Sequence, residues 1–272
     1  IKVIDDSFLE QERNEQWAKE FCEKIKSRGI NVSLRGSLKA DQVEDEKIKY
    51  LKEAGFHSFA CGIENGSDTA LKRMNKSASL KHGIYVQAGF ILFDDNTTFE
   101  ELKENYEFLR EYDWIITKGI FSEMFAADGT LYTEKLKKED KIVKNDVYDN
   151  NKYEIVDPKV KLTYNALKKW HKSHMKLYDM IIDPISSPKA IDETGEKSFY
   201  DLFYQLKLKD LDFMKMVLDD VERGITEREL NEKVIAQIIG NSEFYSSINR
   251  SGQALCEKYN LNYDGKENPF IR

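Results

Sequence analysis

The sequence predicts an α/β fold: a parallel β-sheet covered by helices in the first half of the chain, then an α-helical C-terminal region. Three observations carry this. Short apolar runs alternate with amphipathic stretches through brief connections. The runs are nearly continuous rather than alternating. From Asp157 onward the hydrophobic spacing becomes helical. Continuous apolar strands belong to sheets buried on both faces, and repeated strand–helix–strand units make the strands parallel with right-handed crossovers.

Taken in order, Ile1 to Ile4 is strand-like and ends in Asp5-Asp6-Ser7. Gln11 to Arg28 has Trp17, Ala18, Phe21, Cys22 and Ile25 on one helical face, and Gly29 ends it. Ile30 to Leu34 is a second strand, and Val43 to Ala54 a helix with Ile48, Leu51 and Ala54 inward. Phe56 to Ile63 and Tyr85 to Phe93 are further strands. Thr97-Thr98-Phe99-Glu100-Glu101 reads as a threonine-capped helix start with acids in the first turn, the helix running to Tyr112. Trp114 to Phe121 is a fifth strand. The polar stretch Asn145 to Asn151 marks a boundary, giving domains at 1–145 and 156–272. Beyond it, Val160 to Ile182 is a helix stopped by Asp183-Pro184, and Ser198 to Arg223 is another. Thr226-x-x-Glu229 is a capping box for a helix through Ile239, and Glu243 to Tyr259 is the last.

Composition removes several function classes. The 272 residues are 40% hydrophobic and 33% charged, with a net charge of −7, so the basic excess of a general nucleic-acid binder is missing. No apolar run approaches a membrane span of about 18 residues. Cys22, Cys61 and Cys256 are odd in number and widely spaced, which favours a reducing cytoplasm over a disulfide framework. No Gly-x-Gly-x-x-Gly, P-loop or Gly-x-Ser-x-Gly occurs. The chain opens on an apolar strand without Met, and Ile1 reads as a truncation point.

Ligands of parallel α/β sheets sit at the C-terminal ends of the strands. Five polar clusters fall there: Asp5-Asp6-Ser7-Phe8; Arg35-Gly36-Ser37; Gly62-Ile63-Glu64-Asn65-Gly66-Ser67; Asp94-Asp95-Asn96; and Glu123 with Asp128-Gly129-Thr130. Loops are polar anyway, so the order carries more than any single cluster. Strand, Asp-Asp-x-Phe, helix, strand, Arg, helix ending Lys-x-Ala-Gly-Phe, strand, Gly-Ile-Glu-x-Gly-Ser, then Met74-Asn75-Lys76, strand and Gly129-Thr130-Leu131-Tyr132 follow one another over residues 1–137. This succession resembles the barrel of radical S-adenosylmethionine (SAM) enzymes, in the branch that includes tRNA methylthiotransferases and cobalamin-dependent members.

The resemblance implies a partial parallel (β/α)6 radical SAM barrel with about five strands present. It implies SAM and a [4Fe–4S] cluster as cofactors, with cobalamin an open third. A Cys-x3-Cys-x2-Cys loop after the first barrel strand holds the cluster in that family, and this chain has no such loop. Cys22 falls on a helical apolar face and Cys61 in a strand, where free cysteines are ordinarily core residues. The cluster ligands are therefore expected outside this chain. Between Glu64 and Tyr85 the family fits a whole helix. Here about 20 residues connect the strands, enough for a thin crossover or a sign that residues between Lys76 and Gly83 are missing.

The same resemblance gives Glu64 the SAM ribose hydroxyls, for which a carboxylate is a suitable acceptor; an acid at a helix start beside Gly66 is the other reading. Asp5 and Asp6 fall where relatives face the SAM ammonium, or they form a solvated turn capping the next helix. Arg35 would clamp the SAM carboxylate or a substrate anion, or pair with Asp5, Asp6 or Glu64, and Ser37 follows it. Glu123, Met124 and Phe125 follow the last strand, where the family backbone touches adenine. His171-x-x-His174 puts two imidazoles on one helix face, and without a third ligand nearby it reads as a surface pair.

The expected activity is radical C–H chemistry, methylation or rearrangement, on a small molecule or peptide, with flavodoxin or ferredoxin as electron donor and no nucleic acid or membrane partner. The helical region would close the open side of the barrel and touch substrate. The alternative is a degenerate, non-catalytic barrel that binds or scaffolds. A hydrolase or isomerase is disfavoured, because no acid–base pair or nucleophile recurs at the strand ends.

Overall fold

The computed structural model describes residues 1–3, 7–9, 12–39, 44–62, 84–144, 151–186 and 191–261. Asp5, Asp6, Glu64 and the connection 63–83 lie outside the described residues. Asn14 starts α1 (Glu15–Ser27) by accepting from the Trp17 amide at 3.0 Å, which sets the helix start four residues later than the expected Gln11. The strand β1 (Leu34–Leu38), helix α2 (Asp45–Glu53) and strands β2 (Phe56–Gly62) and β3 (Tyr85–Gly89) follow. β1, β2 and β3 are adjacent in chain order and parallel. Lys2 bridges Arg35 in parallel on one side, and Ile116 bridges Gln87 on the other. Five strand positions thus lie side by side in sequence order.

β1 corrects one expectation. The apolar run Ile30–Leu34 suggested a strand ending before Arg35, but the paired residues are Leu34 to Leu38. Arg35 and Ser37 are therefore inside the strand, facing the same side of the sheet as Ser58 and Ala60. The opposite face carries Leu38, Phe59, Cys61 and Val86 in the core, joined by Phe8, Phe56 and the partly buried Phe21 of α1.

The threonine cap expected for α3 (Phe99–Glu111) is made by Thr98, which goes further and closes a capping box with Glu101, and α4 (Leu131–Lys138) is capped by Thr130. The fifth strand is less regular than expected: it touches β3 at Ile116, turns at Gly119 with φ +76°, and rejoins where Glu123 bridges Phe93. A short antiparallel pair, β4 (Ile142–Lys144) with β5 (Lys152–Tyr153), was not foreseen.

The helical region comprises α5 (Pro158–Ser186), α6 (Glu193–Glu222), α7 (Glu227–Gly240) and α8 (Ser242–Lys258). α5 does not stop at Asp183-Pro184. A proline this close to a C-terminus removes one ladder bond, and the strands supply replacements for the last carbonyls. His57 Nε2 lies 2.5 Å from the Ile185 carbonyl, and Ser58 Oγ donates to that of Ser186 at 2.9 Å. Val160, Leu167 and Trp170 of α5 and Leu211, Met214 and Val217 of α6 share one hydrophobic cluster with the strand residues Leu34, Phe56 and Phe59.

α6 fastens the turn before the fifth strand through residues at helical spacing. Tyr200 donates to the Trp114 carbonyl at 2.9 Å, Tyr204 to Asp113 at 2.8 Å, and Lys207 Nζ to the Ile115 carbonyl at 2.6 Å. Lys207 is 1% exposed, and burial pushes its ammonium down to about 7. A lysine whose folded value is depressed is disfavoured when charged, and the unfolded chain binds the extra proton, so stability rises with pH between about 7 and 10. We expect urea unfolding to gain about 2 kcal/mol from this group between pH 7 and 9. Lys207→Met should remove that slope; an unchanged slope in the variant would show that Lys207 is charged in the fold.

Candidate functional site

At the C-terminal edge of the sheet, β2 and β3 end on Gly62 and Gly89, which are register partners. Two glycines abreast leave the strand ends without side chains, and a Cβ at Gly89 would meet nothing within 4 Å. That is space in which a ligand can approach backbone. Lower on the same sheet, Arg35 donates to Gln87 Oε1 at 2.7 Å. Burial lowers the Arg35 guanidinium and the Asp183 carboxylate near the end of α5 opposes it. The structure thus joins Arg35 to Gln87, with Ser37 two residues along the same face. Phe125 stands apart from them, 53% exposed beyond the fifth strand. Asp94 and Asp95 are occupied locally: Asp94 accepts from the Asn96 amide at 2.8 Å, and buried Asp95 pairs with Lys141 at 2.7 Å and Lys135 at 3.3 Å.

The more developed cavity lies between the fifth strand and α5. It measures about 580 Å³, and its walls include Phe121, Glu123, Lys168, His171, Met175 and Tyr178. Glu123 is its best-engaged acid. Tyr164 donates to Glu123 Oε2 at 2.5 Å, Lys152 of β5 to Oε1 at 3.0 Å, and Lys168 Nζ is 3.8 Å from Oε1. Burial alone would raise the Glu123 carboxyl, but the Tyr164 hydroxyl and the ammonium groups of Lys168 and Lys152 outweigh it and hold it below the usual carboxylate range. Lys168 is pulled the other way, lowered by burial despite Glu123, and donates to the Tyr164 hydroxyl at 2.6 Å.

His171 and His174 are not a surface pair. His174 is fully buried, its ring stacked on Tyr245 at 4.5 Å and its Nε2 3.0 Å from Asp210 Oδ1. Asp210 of α6, itself fully buried, also accepts from Trp170 Nε1 and from the Tyr178 hydroxyl, each at 2.7 Å. Sequence spacing within α5 could not reveal this, because the carboxylate that draws the imidazole inward lies 36 residues away. His171 packs on Phe121 and against Gly119. A Cβ at Gly119 would fall 2.5 Å from His171 Nδ1 and 3.4 Å from Asp210 Oδ2, so this glycine lets both groups close on the strand. Burial lowers the His171 imidazole, and its Nδ1 is buried without a hydrogen-bond partner.

Tyr164, Lys168, His171, Met175 and Tyr178 follow one another at three or four residues along α5, a polar-aromatic stripe legible beside the apolar one. Lys152 carried no such signal, since the hairpin that delivers it is short and irregular. Among the described residues no group of three or more His, Cys, Asp or Glu is placed to hold a metal ion, and no helix is long and apolar enough to cross a membrane.

No protein-family model matches the chain. An uncharacterised methyltransferase of Pyrococcus horikoshii is 25% identical over 191 residues, covering 65% of this chain and 39% of that protein. The anaerobic magnesium-protoporphyrin IX monomethyl ester cyclase of Rubrivivax gelatinosus is 28% identical over 161 residues, covering 52% of this chain and 27% of that protein. The chain spans well under half the length of these relatives. Among solved structures, the cobalamin-dependent S-adenosylmethionine radical enzyme OxsB, with aqua-cobalamin and S-adenosylmethionine bound, superposes with a TM-score of 0.53 at 17% identity. The match covers 97% of this chain and 51% of that one. The fold is shared with a radical SAM enzyme. It includes the helical region as well as the sheet, since so little of the chain falls outside the superposition.

The buried Asp210 organises the wall of the cavity that carries Tyr178. Asp210→Ala would leave three buried donors without their acceptor, each worth about 1–3 kcal/mol. We expect a loss of about 3 kcal/mol or more in urea unfolding, against less for Asp210→Asn; a loss under about 1 kcal/mol would mean that the network contributes little.

Proposed function

We propose that this chain is part of a radical SAM enzyme that functionalises a C–H bond, by methylation or rearrangement, of a small molecule or peptide. The observation that carries the reading is the superposition on a radical SAM enzyme over 97% of the chain, together with parallel strands in chain order ending on the side-chain-free pair Gly62 and Gly89. In this reading the SAM pocket lies above that pair. Arg35, with Gln87, would face the carboxylate end of SAM or a substrate anion. Ser37 would extend the same polar face. Glu64, two residues beyond Gly62, would accept from the ribose hydroxyls, and Asp5 and Asp6 would face the ammonium. The backbone near Phe125 would touch adenine.

The residues of this chain do not fit a [4Fe–4S] cluster. Cys22, Cys61 and Cys256 are all buried, in α1, β2 and α8. Burial pushes the Cys61 thiol up to about 12 and raises that of Cys22, whereas an iron ligand must be a thiolate. The reading therefore takes the cluster ligands from outside this sequence. Cluster and SAM, once bound, would supply the radical chemistry. Cobalamin is a further cofactor in this reading, supported by the name of the superposed enzyme, and a flavodoxin or ferredoxin would supply electrons. The residues described here would hold SAM and substrate and exclude water. The sheet (1–145) and the helical region (156–272) are the two units of that task.

The test is anaerobic iron–sulfur reconstitution of the full-length natural protein. We expect a reduced-cluster electron paramagnetic resonance signal that changes on adding SAM, with release of 5′-deoxyadenosine. Glu64→Gln should weaken SAM binding by about tenfold, the worth of a hydrogen bond to a charged group. A protein that takes up no cluster, or whose cluster ignores SAM, would overturn the reading and favour the non-catalytic alternative.

A further inference from the structure

The cavity between the fifth strand and α5 carries more chemistry than packing needs. Its floor and sides are apolar: Phe121 stacked on the His171 ring at 6.1 Å, with Met175 and the ring of Tyr178 beside them. One end is cationic. Lys118, Lys168 and Lys172 line the cavity against the carboxylates of Glu123 and Asp179, and Lys152 adds a second ammonium to Glu123 from outside the lining. Lys118 is committed to Asp179 at 2.7 Å. Glu123 is already satisfied by Tyr164 and Lys152 at shorter range than by Lys168. Lys172 has no carboxylate partner among the described residues and stands exposed at the rim. The lining is thus net positive in a chain of net charge −7. At about 580 Å³ the cavity has the size of a small-molecule site.

Lys168 and Lys172 lie four residues apart on α5, one turn, so both ammonium groups can reach one anion. Holding Lys168 partly buried costs solvation, and this cost would be offset by a ligand carboxylate. The His171 ring between them and Tyr178 is flat and partly buried, and burial favours its neutral form. It therefore presents a stacking face rather than another charge.

We propose that this cavity binds a small carboxylate with an aromatic or planar apolar body, the body lying along Phe121, His171 and Met175 and the carboxylate between Lys168 and Lys172. That this ligand is the substrate rests on the radical SAM reading; that the site binds it does not.

The experiment measures binding of 3-phenylpropionate and its uncharged amide, 3-phenylpropionamide, to the full-length natural protein in air, without iron or SAM. Titration calorimetry and saturation-transfer NMR give the two affinities. We expect the acid to bind at least tenfold more tightly than the amide. Lys172→Gln and Lys168→Gln should each reduce acid binding at least fivefold and leave the amide unchanged, and Lys168→Arg should restore most of the loss. Lys172 is exposed, so its variant folds even if removal of Lys168 disturbs Glu123. Equal binding of acid and amide, no binding of the acid at millimolar concentration, or parent-like acid binding by both glutamine variants would each overturn the proposal. Because neither cluster nor SAM is present, these outcomes are independent of whether the protein performs radical chemistry.

Discussion

Helix α5 crosses the sheet and is tied to it at both ends. Its last carbonyls, Ile185 and Ser186, meet His57 and Ser58 at the start of β2, while Tyr164 near its beginning meets Glu123 beyond the fifth strand. Three such hydrogen bonds contribute about 1 kcal/mol each. Burying Val160, Leu167, Trp170, Ile181 and Ile185 contributes about 2 kcal/mol apiece, several times as much in total. Apolar burial therefore decides that α5 adheres, and the hydrogen bonds decide where along the strands it sits. Everything at the candidate site depends on that register, because a slide of one turn would separate Tyr164 and Lys168 from Glu123 and His171 from Phe121.

The register explains why the polar groups fall into two kinds. Asp210, Trp170, His174 and Tyr178 satisfy one another in the dry layer between α5 and α6, where an unpaired group would cost the most. Lys168 and Lys172 lie nearer the opening, where charge can be left for a ligand. His171 sits at the boundary, with Gly119 admitting its ring against the strand. The inner polar face of the sheet, Arg35 and Gln87, lies under the other end of α5, near Asp183. One helix thus borders both of these candidate ligand places.

Sequence patterning identified the parallel sheet, the threonine cap of α3, the capping box of α7 and the helical second half, because each rests on local spacing. It misjudged whatever depends on distant partners. β1 sits four residues later than its apolar run, since its pairing with β2 starts where Leu34 meets Phe56 rather than where hydrophobicity begins. α5 continues through Pro184 because β2 supplies partners for its final carbonyls. The His171 and His174 motif looked like surface because Asp210, which buries it, belongs to another helix. Of the candidate site, Glu123 and Arg35 were legible as strand-associated polar residues, whereas the role of Lys168 needed the helix to be docked. Its stripe with Tyr164 and His171 was visible, but an amphipathic helix has two candidate faces, and the apolar stripe drew the assignment.

Sheet and helical region are held as one structure by α5, and native-state hydrogen exchange in rising urea tests this. The amides of β2 and of the middle of α5 should open with the same free energy and merge into one global unfolding. If α5 and α6 exchanged through an opening several kcal/mol easier than that of β2, the helical region would be a separately unfolding unit, and a cavity framed by both parts would not be a preformed site.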